Sequence, residues 1–443
     1  MKTYSKHRSA LMRRLPDGLI VLSGGLEVTR NYDVSFVFRQ DSDFLYLTGV
    51  EDPGFHLLID PKRKNSTLFL PRIDDHHRVW EGHVPGPAEA KRLYGVQRVL
   101  YDDALPGEIK KARRGHRRAY VNSPVQKKLK KSFQGLPLLS SVLDDAIEEL
   151  RAVKTPGEIS LMAEANRISN RAHGIVMRKT RAGMREYEVQ TLFEAECLRS
   201  GNRHLAYPSI VAAGNNAAVL HYRHNDAKLK KTDLLLIDAG VEVKGYASDI
   251  TRTFPVGKKF SQRQKDIYSI VLETQKACIE AARPGLNSAT WQVLSMRLIA
   301  DGLRDLKLMR GSVDTLVETG AVRLFYPHGI GHLLGLDVHD GVGGKSRKKP
   351  NPTKVPVRFA ADLEAGMAIT SEPGIYFIDA LLNAPRLRKK HRDHIDFNRA
   401  ERYLGMGGIR IEDDVIVRPS GPPRNLTTVA KEIPDIEALR RNA

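Results

Sequence analysis

Beyond residue 155, apolar positions recur with helical spacing. Thr155-Pro156-Gly157-Glu158 reads as a capping box with proline at the first helical position. Ile159, Met162, Ile168, Ala172 and Ile175 then form a roughly helical stripe, and Gly183 in "RKTRAGM" supplies the break. The same patterning predicts helices over 155–180, 186–200, 261–282 and 288–307. Between and after them lie the strand candidates "PSIVAAG", "DLLLIDAG", "YASDITRTF", "MAITSE" and "GIRIEDDVIV". Helices set against a largely antiparallel sheet make the expected class α+β. One long stretch, "ALLNAPRLRKKHRDHIDFNRAERYLGMG", is polar and basic and is expected at the surface.

The first third is patterned differently. Strand-like pieces ("GLIVLSG", "DFLYLTGV", "HLLIDP", "STLFLPR") are separated by helical or basic segments. This predicts a mixed α/β domain over 1–150 with its own core, followed by a second domain over 155–443. The length of 443 residues agrees with two or three domains.

Composition narrows the setting. Hydrophobic content of 41% with 28% charged residues is that of a soluble globular protein. No apolar run approaches the roughly 20 residues that span a bilayer, and Leu19–Leu22 is too short for a secretory core. Cys197 and Cys278 form neither a disulfide framework nor a metal spacing, so the expected location is cytoplasmic. The formal charge of +19 is concentrated in part at Lys110–Lys131, which holds ten Lys/Arg and no acid. Its only aromatic residue besides His116 is Tyr120, too little interleaving for base stacking. A solvated face is expected there, and neither nucleic acid nor membrane is an expected partner.

Candidate chemistry begins in "DLLLIDAGVEVKGYASDITRTF", two β-like runs around a Glu242–Gly245 turn. A turn centred between Val243 and Lys244 sets Asp238 directly opposite Asp249, with Cβ atoms about 5 Å apart, where like charges are destabilising. A bound cation, a shared proton or a different register would each relieve this. Glu372 follows the apolar strand "MAIT" and precedes Pro373, which holds it extended. Glu412 shares a strand face with Arg410 and Asp414, and an Arg410 salt bridge is its plain reading. "YPHGIGHLLGLDVHD" adds His328, His332 and His339. Asp238, Asp249, His332, Glu372 and Glu412 together are too many ligands for one zinc. They suit two divalent ions held by bridging carboxylates, manganese first, with cobalt or zinc also plausible.

These residues carry a resemblance. "LLLIDAG", "ASDITRTFPVG", "HGIGHLLGLDVHD", "SEPGIYF" and "GGIRIEDDVIV" come in the order found in pita-bread metallopeptidases of the Xaa-Pro group, prolidase and aminopeptidase P. "VTRNYDVSFVFRQDSDFLYLTGVEDPG" is similar to that family's N-terminal domain. The resemblance implies a pita-bread catalytic domain with Asp249 and Glu412 bridging two metals, Asp238 on one side, and His332 and Glu372 binding one ion. It further implies that Glu372 shuttles a proton and that His339 hydrogen-bonds the scissile carbonyl. His328, His221 and Tyr207 would line the substrate site, with Arg410 beside them. Arg358 matches the arginine by which prolidases bind the substrate carboxylate, although it is also one basic residue near Lys345, Arg347, Lys348 and Lys349. The implied activity is hydrolysis of Xaa-Pro dipeptides, with an aminopeptidase acting on longer peptides as the alternative. A metal-free binding protein of the same fold is the reading from another class. The resemblance implies a homodimer, in which "SFVFRQ" with Phe36 and Phe38 can reach a neighbouring subunit and Asp33 can form a salt bridge. "DVHDGVGGKSRKKPNP" departs from the family pattern.

Overall fold

The computed structural model describes residues 2–80, 82–342, 351–353 and 355–441. The stretch holding Lys345, Arg347, Lys348 and Lys349 lies outside them. The described residues form two compact units, 2–152 with 341–342, and 153–340 with 351–441.

The first unit is built on a six-stranded mixed sheet. Its order is Arg98–Tyr101, Asn65–Leu70, His56–Asp60, Leu19–Ser23, Ala119–Val121, Leu138–Leu139. The strands Leu19–Ser23, His56–Asp60 and Asn65–Leu70 pair antiparallel, and the remaining pairs are parallel. Leu19, Val21, Phe69, Ile109 and Val121 lie in its core. One expectation fails: "DFLYLTGV" is a helix, Ser42–Thr48, not a strand. Asp41 caps it by accepting from the Phe44 amide, and Gly49 closes it in the left-handed conformation. All its side chains but Asp43 are buried, so the run shows no periodicity to betray the helix. The basic side chains of 110–131 are exposed, with Arg113 partly so. Lys111 pairs with Glu108 and Arg118 with Asp17.

The second unit follows the patterning closely. Thr155 and Glu158 form the capping box of Pro156–Lys179, followed by Glu186–Arg199, Gln262–Ala281 and Ser288–Asp305. Every strand pair is antiparallel among the described residues. One sheet has the order Thr251–Pro255, Leu234–Asp238, Ile210–Ala213, and another Ala368–Ser371, Asp413–Ile416, Arg424–Asn425. Single bridges join Thr251 to Glu412 and Leu333 to Ile369, so separate strands are stitched together where the acidic residues lie. The stretch 380–407 is only partly the surface insertion expected. It forms short helices, and Leu382, Ile395, Phe397, Ala400 and Tyr403 enter the main core. No helix among the described residues is long and apolar enough to cross a membrane.

Candidate active site

The acidic hairpin turns one position later than expected. Lys244 and Gly245 both have positive φ, 51° and 81°, the left-handed pair that a two-residue hairpin turn requires. Val243 therefore pairs with Tyr246, and Asp238 lies opposite Thr251 rather than Asp249. A shift of two in register leaves each side chain on its original face, so the two carboxylates still converge, now diagonally. Tyr207 connects them, its Oη 2.7 Å from Asp238 Oδ1 and 2.5 Å from Asp249 Oδ1.

The other three residues are tied to this hairpin through backbone bonds. His332 and Thr370 exchange bonds, the His332 amide donating to Thr370 Oγ1 and the Thr370 amide to the His332 carbonyl. The Glu372 amide donates to the Ile330 carbonyl. Glu412 falls between the strands Gly408–Arg410 and Asp413–Ile416, where its amide donates to the Thr251 carbonyl and its Oε2 accepts from Thr251 Oγ1 at 2.7 Å. Asp414, on the next strand, accepts the Asp249 amide at 2.9 Å. The result brings all five predicted ligands together. His332 Nε2 lies 3.4 Å from Asp249 Oδ2 and 3.6 Å from Glu372 Oε1. One donor atom each from Asp249, His332 and Glu412 lie within 4.8 Å of one another. His332 Nδ1 faces the Leu333 carbonyl at 3.0 Å. A carbonyl only accepts, so the ring proton belongs on Nδ1 and Nε2 is free to ligate.

The electrostatics of this cluster fit a cation. Burial raises Asp238, partly offset by Arg410, with Asp249 adding repulsion. Burial pushes Glu372 up to about 7, opposed by His332. Burial and three neighbouring carboxylates hold Glu412 well above the usual range. Asp249 alone is lowered: burial pushes it up, but the hydrogen bonds and charges of His332, Tyr207 and His339 together more than offset that. Four carboxylates thus face the Arg410 guanidinium and the His332 imidazole, with His328 Nδ1 3.6 Å from Glu372 Oε2. Oxygen-rich donors of this kind suit hard or borderline divalent ions, whose charge would relieve the repulsion.

The residues expected to line the substrate site share the same cavity, of about 470 Å³, with Tyr207, His221, His328, His339, Arg358 and Arg410 in its wall. Arg410 is not held by Glu412. It donates to Asp238 Oδ2, to Thr251 Oγ1 and to Tyr376 Oη. Tyr376 in turn meets His328 Nε2 at 2.8 Å, while His328 Nδ1 faces the Gly329 carbonyl. Burial lowers His328 to about 3, so its ring is neutral. His339 stands edge-on to His332 with ring centres 4.4 Å apart, and burial with the His332 and Arg358 charges lowers it to about 4. Arg358 Nη2 donates to His339 Nδ1 at 3.0 Å. Sequence reasoning missed Tyr376, Thr251 and Thr370 as partners. Tyr376 sits in the quoted "SEPGIYF", but a hydroxyl in an apolar run carries no signal of its role.

Comparison with known proteins finds relatives along nearly the whole chain. A profile described as metallopeptidase family M24 matches residues 160–419, and one described as the aminopeptidase P N-terminal domain matches 4–120. A human Xaa-Pro dipeptidase is 36% identical over 441 residues, covering 95% of this chain and 88% of the relative. A probable Xaa-Pro aminopeptidase of Podospora anserina is 36% identical over 448 residues, covering 99% and 96%. Among solved structures, an aminopeptidase of Pseudomonas aeruginosa superposes with a TM-score of 0.87 at 35% identity, covering 99% of this chain and 97% of the other.

Proposed function

This chain belongs to metallopeptidase family M24, and from that premise we propose that it hydrolyses the bond between an N-terminal residue and proline, acting on Xaa-Pro dipeptides. One observation carries the reading: four carboxylates and one imidazole converge in a cavity whose wall holds three further histidines. Asp238, Asp249, His332, Glu372 and Glu412 are the residues to hold two divalent ions, manganese first and cobalt or zinc next. When bound, the ions supply Lewis acidity and lower the pKa of water toward neutrality.

The chain's own groups do the rest. Glu372, a carboxylate in the cavity wall 3.6 Å from His332 Nε2, is the group to take a proton from water and return it to the leaving proline nitrogen. Arg358 only donates, so its bond to His339 Nδ1 puts the ring proton on Nε2. That N–H can donate to the scissile carbonyl oxygen as charge develops on it. The neutral His328, held by Tyr376, forms a wall for the proline ring. Arg358 at the exposed rim is the fork to bind proline's free carboxylate.

A second reading, Xaa-Pro aminopeptidase on longer peptides, is favoured by the likeness to solved aminopeptidases. A metal-free binding protein accords poorly with a complete set of five converging donors. We also propose a homodimer in the cytoplasm. Exposed Leu26, Val28, Tyr32 and Phe36 around the hairpin of Thr29–Asn31 and Val34–Ser35 support self-association. Asp33 and Phe38 belong to the same proposal.

The test is hydrolysis of Gly-Pro and Leu-Pro against a tripeptide Xaa-Pro-Yaa, with added manganese. Dipeptide turnover abolished by a chelator is expected. Tripeptide cleavage without dipeptide turnover would replace the dipeptidase reading by the aminopeptidase one.

A further inference from the structure

The cavity wall contains a third arginine to which the mechanism above gives no task. Arg223 lines the same cavity as His221, His339 and Arg358. Arg410 is committed to Asp238 and Tyr376, and Arg358 to His339. Arg223, by contrast, makes no hydrogen bond or ion pair among the described residues. An exposed arginine elsewhere would simply be solvated. Here the backbone that carries it is pinned on both sides. Tyr222 is buried, and its hydroxyl donates to Glu186 Oε2 at 2.9 Å and accepts from Asn216 Nδ2. Glu186, itself fully buried, also accepts the amides of Ala213 and Ala227. Asn225 is buried too, accepting the Val211 amide and donating to the Ser209 carbonyl. With 222 and 225 anchored to the scaffold, His221 and Arg223 are presented from a fixed segment to one cavity.

We propose that Arg223 is a specificity-determining residue, a second guanidinium receptor for the substrate's free carboxylate. It rests on the Xaa-Pro reading and adds to it the preference for a short, anionic substrate. The chemistry is that of the guanidinium fork, which accepts a carboxylate bidentately and so distinguishes it from an amide. The carboxylate is that of the terminal proline; an acidic side chain in a longer peptide has the same chemistry and is separated by the test.

Steady-state kinetics with manganese should compare wild type, Arg223→Ala and Arg223→Lys on Leu-Pro, Leu-Pro-amide, Leu-Pro-Gly and Leu-Pro-Glu. Circular dichroism melting verifies that each variant is folded. Arg223→Ala is expected to raise KM for Leu-Pro about 10-fold, with kcat little changed and the amide unaffected, and Arg223→Lys should recover part of the loss. A KM ratio between Leu-Pro and its amide that does not move overturns the proposal. So does an effect confined to Leu-Pro-Glu, which would assign the residue to an acidic side chain. Wild-type protein that cleaves none of the four peptides rejects the underlying Xaa-Pro reading, a result read before any variant is assayed.

Discussion

The phenol oxygen of Tyr207 lies 2.5 Å from Oδ1 of Asp249. It lies 2.7 Å from Oδ1 of Asp238 as well, yet one hydroxyl carries one proton. One carboxylate contact is therefore left without a hydrogen, and the phenol satisfies only one of the two aspartates at a time. Tyr207→Phe should lower the melting temperature of the metal-free protein, by the equivalent of about 1–3 kcal/mol. It should lower that of the manganese-loaded protein less, because cations then separate the carboxylates. Scanning calorimetry with and without manganese measures both, and an equal drop in the two forms would refute the argument.

Metal uptake should be coupled to protons. Burial holds Glu372 at about 7 against an ordinary 4.5, and the carboxylate must be ionised to ligate. Manganese affinity should thus rise with pH through the window between 4.5 and about 7. In the metal-free protein the folded state binds the extra proton between 4.5 and 7, so its stability should fall as pH rises through that window. Titration calorimetry in buffers of different ionisation enthalpy detects the released proton. Heats independent of the buffer at pH 6 would exclude the coupling.

Arg358→Ala should act on both substrate and catalyst. Loss of the carboxylate fork raises the dipeptide KM by about 10-fold. Loss of the donor to His339 Nδ1 frees the ring to exchange tautomers, so kcat should fall for dipeptide and tripeptide alike. An unchanged dipeptide KM removes the recognition role, and an unchanged kcat removes the positioning one.

Arg252 and Asp413 form a fully buried ion pair at 2.7 Å. Arg252 also donates to the carbonyls of Thr251 and Glu412, joining the segments that carry Asp249 and Glu412. Asp413→Asn should cost about 3–5 kcal/mol, the usual loss when one member of a buried pair is removed, and should weaken manganese binding. The Arg252 and Lys431 charges overcome burial and keep Asp413 below the usual carboxylate range. Its contribution is therefore complete above the ordinary value near 3.8 and is lost as pH falls toward the folded one. Chemical denaturation at pH 7 and pH 3.5 tests this. Equal stability of wild type and variant at pH 7 would count against it.

Local physics was readable from the chain alone. The capping box at Thr155 and Glu158 and the stripe behind it place a helix within a residue or two of its ends, because caps and periodicity act over one or two turns. Residue identity also marked Asp238, Asp249, His332, Glu372 and Glu412 as candidates, since buried carboxylates are costly without a partner, and the fold gathers them in one cavity. "DFLYLTGV" was misread because a short run buried but for Asp43 has no polar face to reveal its period.

What the tertiary structure alone decided were the non-local choices. The left-handed pair at Lys244–Gly245 set the hairpin register; Arg410 took Asp238 over the nearer-in-sequence Glu412; Tyr207 came to bridge two aspartates 31 and 42 positions away. Each outcome depends on which groups packing leaves within reach of one another and shielded from water. Sequence spacing does not encode that distance, and charge interactions fall off with distance and solvent exposure.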